Sequence, residues 1–92
     1  DSVKWGAING NQWSLEIKPS ACTRTIAADQ TDLAFQELLN KAGSDRQWSN
    51  TNSMRRQFVC LLTTYRTKAS WFIEPHRPYV SHEAAVKANC NP

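Results

Sequence analysis

The 92-residue chain reads as a small α+β domain: a three-stranded antiparallel sheet packed against two main helices and closed by one disulfide. Three observations predict it. Two alternating apolar segments flank Asn9-Gly10-Asn11, residues 53–66 place apolar side chains at helical spacing, and three cysteines stand in a chain short enough to gain from a staple. No repeat, low-complexity stretch or internal linker divides the sequence, so a single domain over residues 1–92 is expected.

Residues 3–17 form the hairpin. A two-residue turn would pair Trp13 with Gly6 and Leu15 with Lys4. A three-residue loop with a bulge instead pairs Ala7 with Trp13, Trp5 with Leu15 and Val3 with Ile17, gathering the apolar residues on one face, so the longer loop is preferred. Pro19 and Ser20 end the second strand, because proline brings no ladder donor. Residues 21–28 fit a short helix or an extended loop equally well. Asp29 or Thr31 can cap the next helix, in which Phe35, Leu38, Leu39 and Ala42 keep helical spacing until Gly43 stops it. The polar loop 44–52 holds one large aromatic, Trp48, which either plugs the edge of the core or meets a partner.

The chain is organised around residues 53–66. Met54, Phe58, Leu61, Leu62 and Tyr65 make one stripe, and Cys60 points away from it with Arg56 and Thr63 as neighbours. Residues 70–74, aromatic and β-branched, supply the third strand, with Trp71 and Ile73 inward and Phe72 and Glu74 outward; Pro75 and Pro78 end it. Ser81 can cap a last short helix through Ala84, Ala85 and Ala88, which returns Cys90 to the body. Three pairings of Cys22, Cys60 and Cys90 are possible. Cys60 with Cys90 is preferred because it tethers the tail, and Cys22 is then expected to be a buried thiol.

Eleven Lys and Arg against eight Asp and Glu give a net charge of +3, and the isoelectric point is near 9.0. This mild excess favours anionic surfaces but falls short of the concentrated basic face of a nucleic-acid binder, so no nucleic-acid partner is expected. There is no apolar run of membrane-spanning length. A first residue that is Asp rather than Met is what signal-peptide removal leaves, as would any internal cut, and a secreted, monomeric protein is the expectation.

Recognisable chemistry is sparse. His76, His82, Glu74, Glu83 and a cysteine lack metal-ligand spacing, and no metal or cofactor is expected. A nucleophile built from Cys22 and a histidine needs a convergence that spacing does not supply. Glu16 and Glu74 are the available carboxylate pair for glycoside hydrolysis, although solvated strand carboxylates are the commoner case. No glycine loop cradles phosphate. The remaining candidate is a basic face made by Arg55, Arg56, Arg66 and Arg77, the last in the rigid Pro75-His76-Arg77-Pro78 turn, with Trp48 beside it.

Trp13-x-Leu15 leading to Pro19-Ser20, Gln57-Phe58-x-Cys60, Trp71-x-x-Glu74-x-x-Arg77-Pro78 and Cys90-Asn91-Pro92 together resemble a family of small exported domains found mostly in actinobacteria and known as a domain of unknown function. The resemblance covers residues 13–92. It implies that Cys60 and Cys90 are the disulfide pair, in agreement with the tail argument. Cys22 stands outside the family's pattern, and Leu61 occupies a position where a histidine is expected, so no role for that histidine transfers. The family brings no catalytic residues. Small basic secreted members resemble antibacterial proteins of bacteriocin type, whose producers are protected by a separate immunity protein. The resemblance therefore implies an antibacterial protein acting at the envelope of related bacteria, through an envelope component or a membrane receptor of the target cell. A non-toxic secreted binding or inhibitor module is the alternative, and a small envelope hydrolase the third.

Overall fold

The computed structural model describes residues 2–8 and 12–92. Strands β1 (Ser2–Ile8) and β2 (Gln12–Lys18) pair antiparallel, with Val3 opposite Ile17, Trp5 opposite Leu15 and Ala7 opposite Trp13. This is the register that the alternation demands: a slip of one residue would turn the buried Leu15 and Ile17 to solvent. The expected bulged loop at residues 9–11 lies outside the described residues. Strand β3 (Trp71–Ile73) adds to the other side of β2, placing Ile73 opposite Leu15 and Trp71 opposite Ile17, so the sheet order is β1-β2-β3.

Between β2 and β3 come three helices. The first, α1 (Ala21–Arg24), is a single turn whose Thr23 N–H donates to Ser20 Oγ at 3.2 Å. This settles the ambiguous residues 21–28 as a short helix, followed by a 3-10 turn, Ala28–Gln30, that runs into α2 (Thr31–Ala42). Neither Asp29 nor Thr31 caps α2. Gln30 holds the cap position without a side-chain bond, because the chain is already turning when it arrives: Gln30 N–H bonds to Ala27 O at 2.9 Å. Gly43 ends the helix as expected, its N–H on Leu39 O at 2.8 Å. A second correction concerns Cys22, which is exposed rather than buried. In so short a helix only Thr23 turns inward, and the residue before it is rotated away by about 100°.

Helix α3 (Thr51–Thr64) is the hub, and two of its faces are buried. Met54, Phe58, Leu61 and Leu62 form the expected apolar stripe against the sheet and α2, with Tyr65 half-buried beyond them. Ser53, Gln57 and Cys60, spaced i, i+4, i+7, make a second face with no exposure at all. Cys60 bonds to Cys90 across 30 residues of sequence, holding the segment after α4 (His82–Lys87) onto the hub. Ser81 caps α4 as its sequence suggests, accepting from Ala84 N–H at 3.1 Å.

Gln57 spends every hydrogen-bonding capacity of its amide. Its Nε2 donates to Ser53 Oγ (3.1 Å) and Glu74 O (2.9 Å), while Oε1 accepts from Glu74 N–H (2.8 Å) and Asn91 Nδ2 (3.2 Å). Glu74 keeps its expected outward side beside Phe72, but it is not the solvated strand carboxylate expected there. The helix side chain acts as its ladder partner, the strand ends at Ile73, and Glu74 is left only 7% exposed. Above the hub, Trp5, Trp48, Phe35, Phe58 and Trp71 form a continuous chain of rings with centroids 5.7–6.4 Å apart. Trp48 thus packs on the margin of the core, its Nε1 donating to Thr51 Oγ1 at 3.0 Å.

Two stability measurements follow from this hub. Gln57→Leu keeps the volume but strands the buried N–H and C=O of Glu74, and should lower the unfolding free energy by about 2–4 kcal/mol in urea titration. Replacing Cys60 and Cys90 together by serine releases a 30-residue loop and should lower it by roughly 3–4 kcal/mol in the chain-entropy account.

Candidate functional site

The four arginines singled out in the sequence are distributed over separate parts of the molecule, each with a partner. Arg55 lies between α3 and α2, with Nε on Asp32 Oδ1 at 2.9 Å; both side chains are largely solvated, so the pair contributes little to stability. Arg56, one step around α3, donates from Nη2 to Tyr79 OH at 2.8 Å and holds its guanidinium carbon 5.1 Å from the Tyr79 ring centroid. Its Nε is buried without a hydrogen-bond partner.

Arg77 is brought to the same end of α3 by the proline turn. The turn is fastened by its carbonyls: Asn50 Nδ2 donates to Pro75 O (3.2 Å) and Arg77 O (2.9 Å), and Ser53 Oγ donates to Arg77 O (2.7 Å). Asn50 reaches both because it sits in the left-handed region at φ 57°, which asparagine tolerates better than most residues. The Arg77 side chain then folds back, with Nε on Glu74 Oε1 at 2.7 Å. The fastened turn therefore sets Tyr79 against Arg56, while the Arg77 side chain is spent on Glu74 at the edge of the sheet. Tyr79, 57% exposed, is the partner of Arg56 that sequence reading misses; its place directly after Pro78 of the turn is the available signal.

Arg66 belongs elsewhere. It forms a reciprocal clasp with Arg24: Arg66 Nη1 donates to Arg24 O (2.7 Å) and Ile26 O (2.8 Å), and Arg24 Nη1 donates to Arg66 O (2.7 Å) and Lys68 O (2.6 Å). The clasp ties the segment after α3 to the segment after α1, and Arg24 also lies 5.9 Å from the Trp71 ring centroid. Trp48 is half-buried on the core margin described above, with one polar contact to Thr51.

The weaker chemical candidates also have definite places. Cys22 lines a recess with Val3, Ile17, Leu38 and Phe58, and neither His76 nor His82 reaches it. Among the described residues no group of three or more His, Cys, Asp and Glu is placed to hold a metal ion. Glu16 and Glu74 do come together, both lining one recess on the outer face of the sheet, where Glu16 Oε2 accepts from Ser70 Oγ at 3.0 Å. No helix among the described residues is long and apolar enough to cross a membrane.

Because Arg66 satisfies two carbonyls at a junction far in sequence, Arg66→Ala should lower stability by about 1–3 kcal/mol, measured by thermal or urea unfolding. Arg55→Ala, which removes only a solvated pair, should stay within about 0.5 kcal/mol of the parent.

The chain is 30% identical, over 98 aligned positions, to uncharacterized proteins of Mycobacterium bovis and Mycobacterium tuberculosis. The match takes in 98% of this chain and 61% of each relative, so the chain spans about three-fifths of their length. No solved structure matches it. A family model covers residues 1–92 from end to end, and the chain belongs to that family, described as a protein of unknown function (DUF2599).

Proposed function

We propose that the domain is exported and acts outside the producing cell as an antibacterial protein of bacteriocin type, docking on the envelope of related bacteria. The observation that carries the reading is the Arg56–Tyr79 pair, held beside the proline turn on a body locked by a buried disulfide. A bond between Cys60 and Cys90 suits an oxidising compartment, which supports export. The pair offers a guanidinium group and an exposed phenol next to a rigid proline turn, a combination suited to a phosphate- or carboxylate-bearing envelope component or to an acidic loop of a membrane receptor. The producing cell then requires a separate immunity protein that covers or removes the same target.

Arg55 and Arg56 are the informative positions, because Arg66 is committed to the clasp and its loss would confound the result with instability. The double variant Arg55→Ala/Arg56→Ala should keep its thermal unfolding within a few degrees of the parent and lose killing in a growth-inhibition assay on lawns of related species. Unchanged killing by this variant overturns the docking role of the arginines. A parent protein that clears no lawn, yet binds envelope preparations, points to the non-toxic inhibitor reading, which the same fastened turn would serve.

A further inference from the structure

The recess on the outer face of the sheet holds more than the Glu16 and Glu74 carboxylates. The strand register builds it in two rows. In one row Gly6 stands opposite Ser14, with Glu74 just past the end of β3; in the other Lys4 stands opposite Glu16 and Glu16 opposite Phe72. These six residues line a hollow of about 300 Å³, the lower end of the range for small-molecule sites. The hollow exists because of Gly6: a Cβ built there meets no atom within 4 Å, so any side chain would project into open space.

Ser14 is the second observation. It is 93% buried by its 7% exposure, it lines the recess, and its Oγ is buried without a hydrogen-bond partner. A native protein seldom leaves such a hydroxyl unsatisfied unless another molecule completes it. The surrounding chemistry narrows that molecule. Glu74 is neutralised by Arg77, and Lys4 stands directly across from Glu16, so the recess carries balanced charge and does not select an ion of either sign. Phe72 adds an aromatic wall, 43% exposed. A hydroxyl that both donates and accepts, carboxylate oxygens that accept, and an aromatic face for C–H groups match a neutral pyranose ring, which presents hydroxyls at its rim and an apolar face.

We infer that this recess is a binding site for a neutral saccharide unit, with Ser14 and the two glutamates holding hydroxyls and Phe72 packing on the ring. The inference is independent of antibacterial action: it requires neither toxicity nor the Arg56–Tyr79 pair.

The test is a titration of 15N-labelled protein with chitotetraose, maltotetraose and mannotetraose. At least one of them should shift amides within residues 4–7, 14–16 and 70–74. Gly6→Trp, which fills the hollow from its floor, should weaken that binding at least about tenfold. Ser14→Ala should weaken it roughly three- to tenfold while raising the melting temperature of the unliganded protein, since it removes a stranded hydroxyl. That opposite movement separates a ligand-binding serine from a structural one. If Gly6→Trp does not fold, Phe72→Ala takes its place, with about fivefold weakening expected from loss of the aromatic wall. Silence of these amides toward all three oligosaccharides, shifts only with an anionic oligosaccharide such as a hyaluronan tetramer, or full-strength binding by the filled variant would overturn the inference.

Discussion

A neutral amide with no access to water holds this molecule together. Gln57 lies on the hub helix with zero exposure, and its four hydrogen bonds join three segments that are otherwise only neighbours: the helix itself, the end of β3 and the residue after Cys90. A buried polar group of this kind is tolerable only when every lone pair and proton is used, and then it specifies one geometry rather than many. Beside it, the disulfide fixes the tail by one covalent bond, and Asn91 Nδ2 adds a second bond to Phe72 O at 2.9 Å. The Glu74 backbone, held by Gln57, in turn sets where the proline turn begins and hence where Arg77 emerges.

This arrangement gives the short motifs of the chain a common explanation. Gln57-Phe58-x-Cys60 contributes the amide and one sulfur. Trp71-x-x-Glu74-x-x-Arg77-Pro78 contributes the backbone that the amide binds and the ion pair behind it, and Cys90-Asn91 contributes the other sulfur and a closing amide. These residues meet at one structural knot, with their polar atoms directed inward. Recognition of other molecules is therefore sought at surfaces the knot positions: the Arg56–Tyr79 pair and the sheet recess with its unsatisfied Ser14. The excess of positive charge is also less available than the sequence suggests, since Arg24 and Arg66 spend their donors on backbone carbonyls.

Periodicity made the architecture legible. The hairpin register, the apolar stripe of α3, the inward pair Trp71 and Ile73 and the Ser81 cap all follow from patterns of two or three-and-a-half residues, which burial enforces. What stayed hidden are the places where one side chain overrides a local pattern. Glu74 reads as a solvated carboxylate on the outer face, but Gln57 takes its backbone groups and Arg77 its side chain, so it is buried there. Cys22 looks buried by composition, yet a single-turn helix buries only Thr23. The cap of α2 was misread because a 3-10 turn already supplies the entry geometry. The arginine cluster is legible as charge but not as placement: only the fold shows Arg66 reaching back 42 residues to Arg24, and only the register brings Gly6, Ser14 and Glu74 into one row.

The sequence distances within the knot impose an order on assembly. The hairpin pairs residues close in the chain and can zip early, whereas Gln57 waits for partners 17 and 34 residues downstream. Until Asn91 has been synthesised and is free to move, the inner face of the hub helix has no complete cover, and the sulfurs have not met. The inner face of the hub is thus roofed by a stretch of chain that follows it, so covalent closure and polar closure share one docking event.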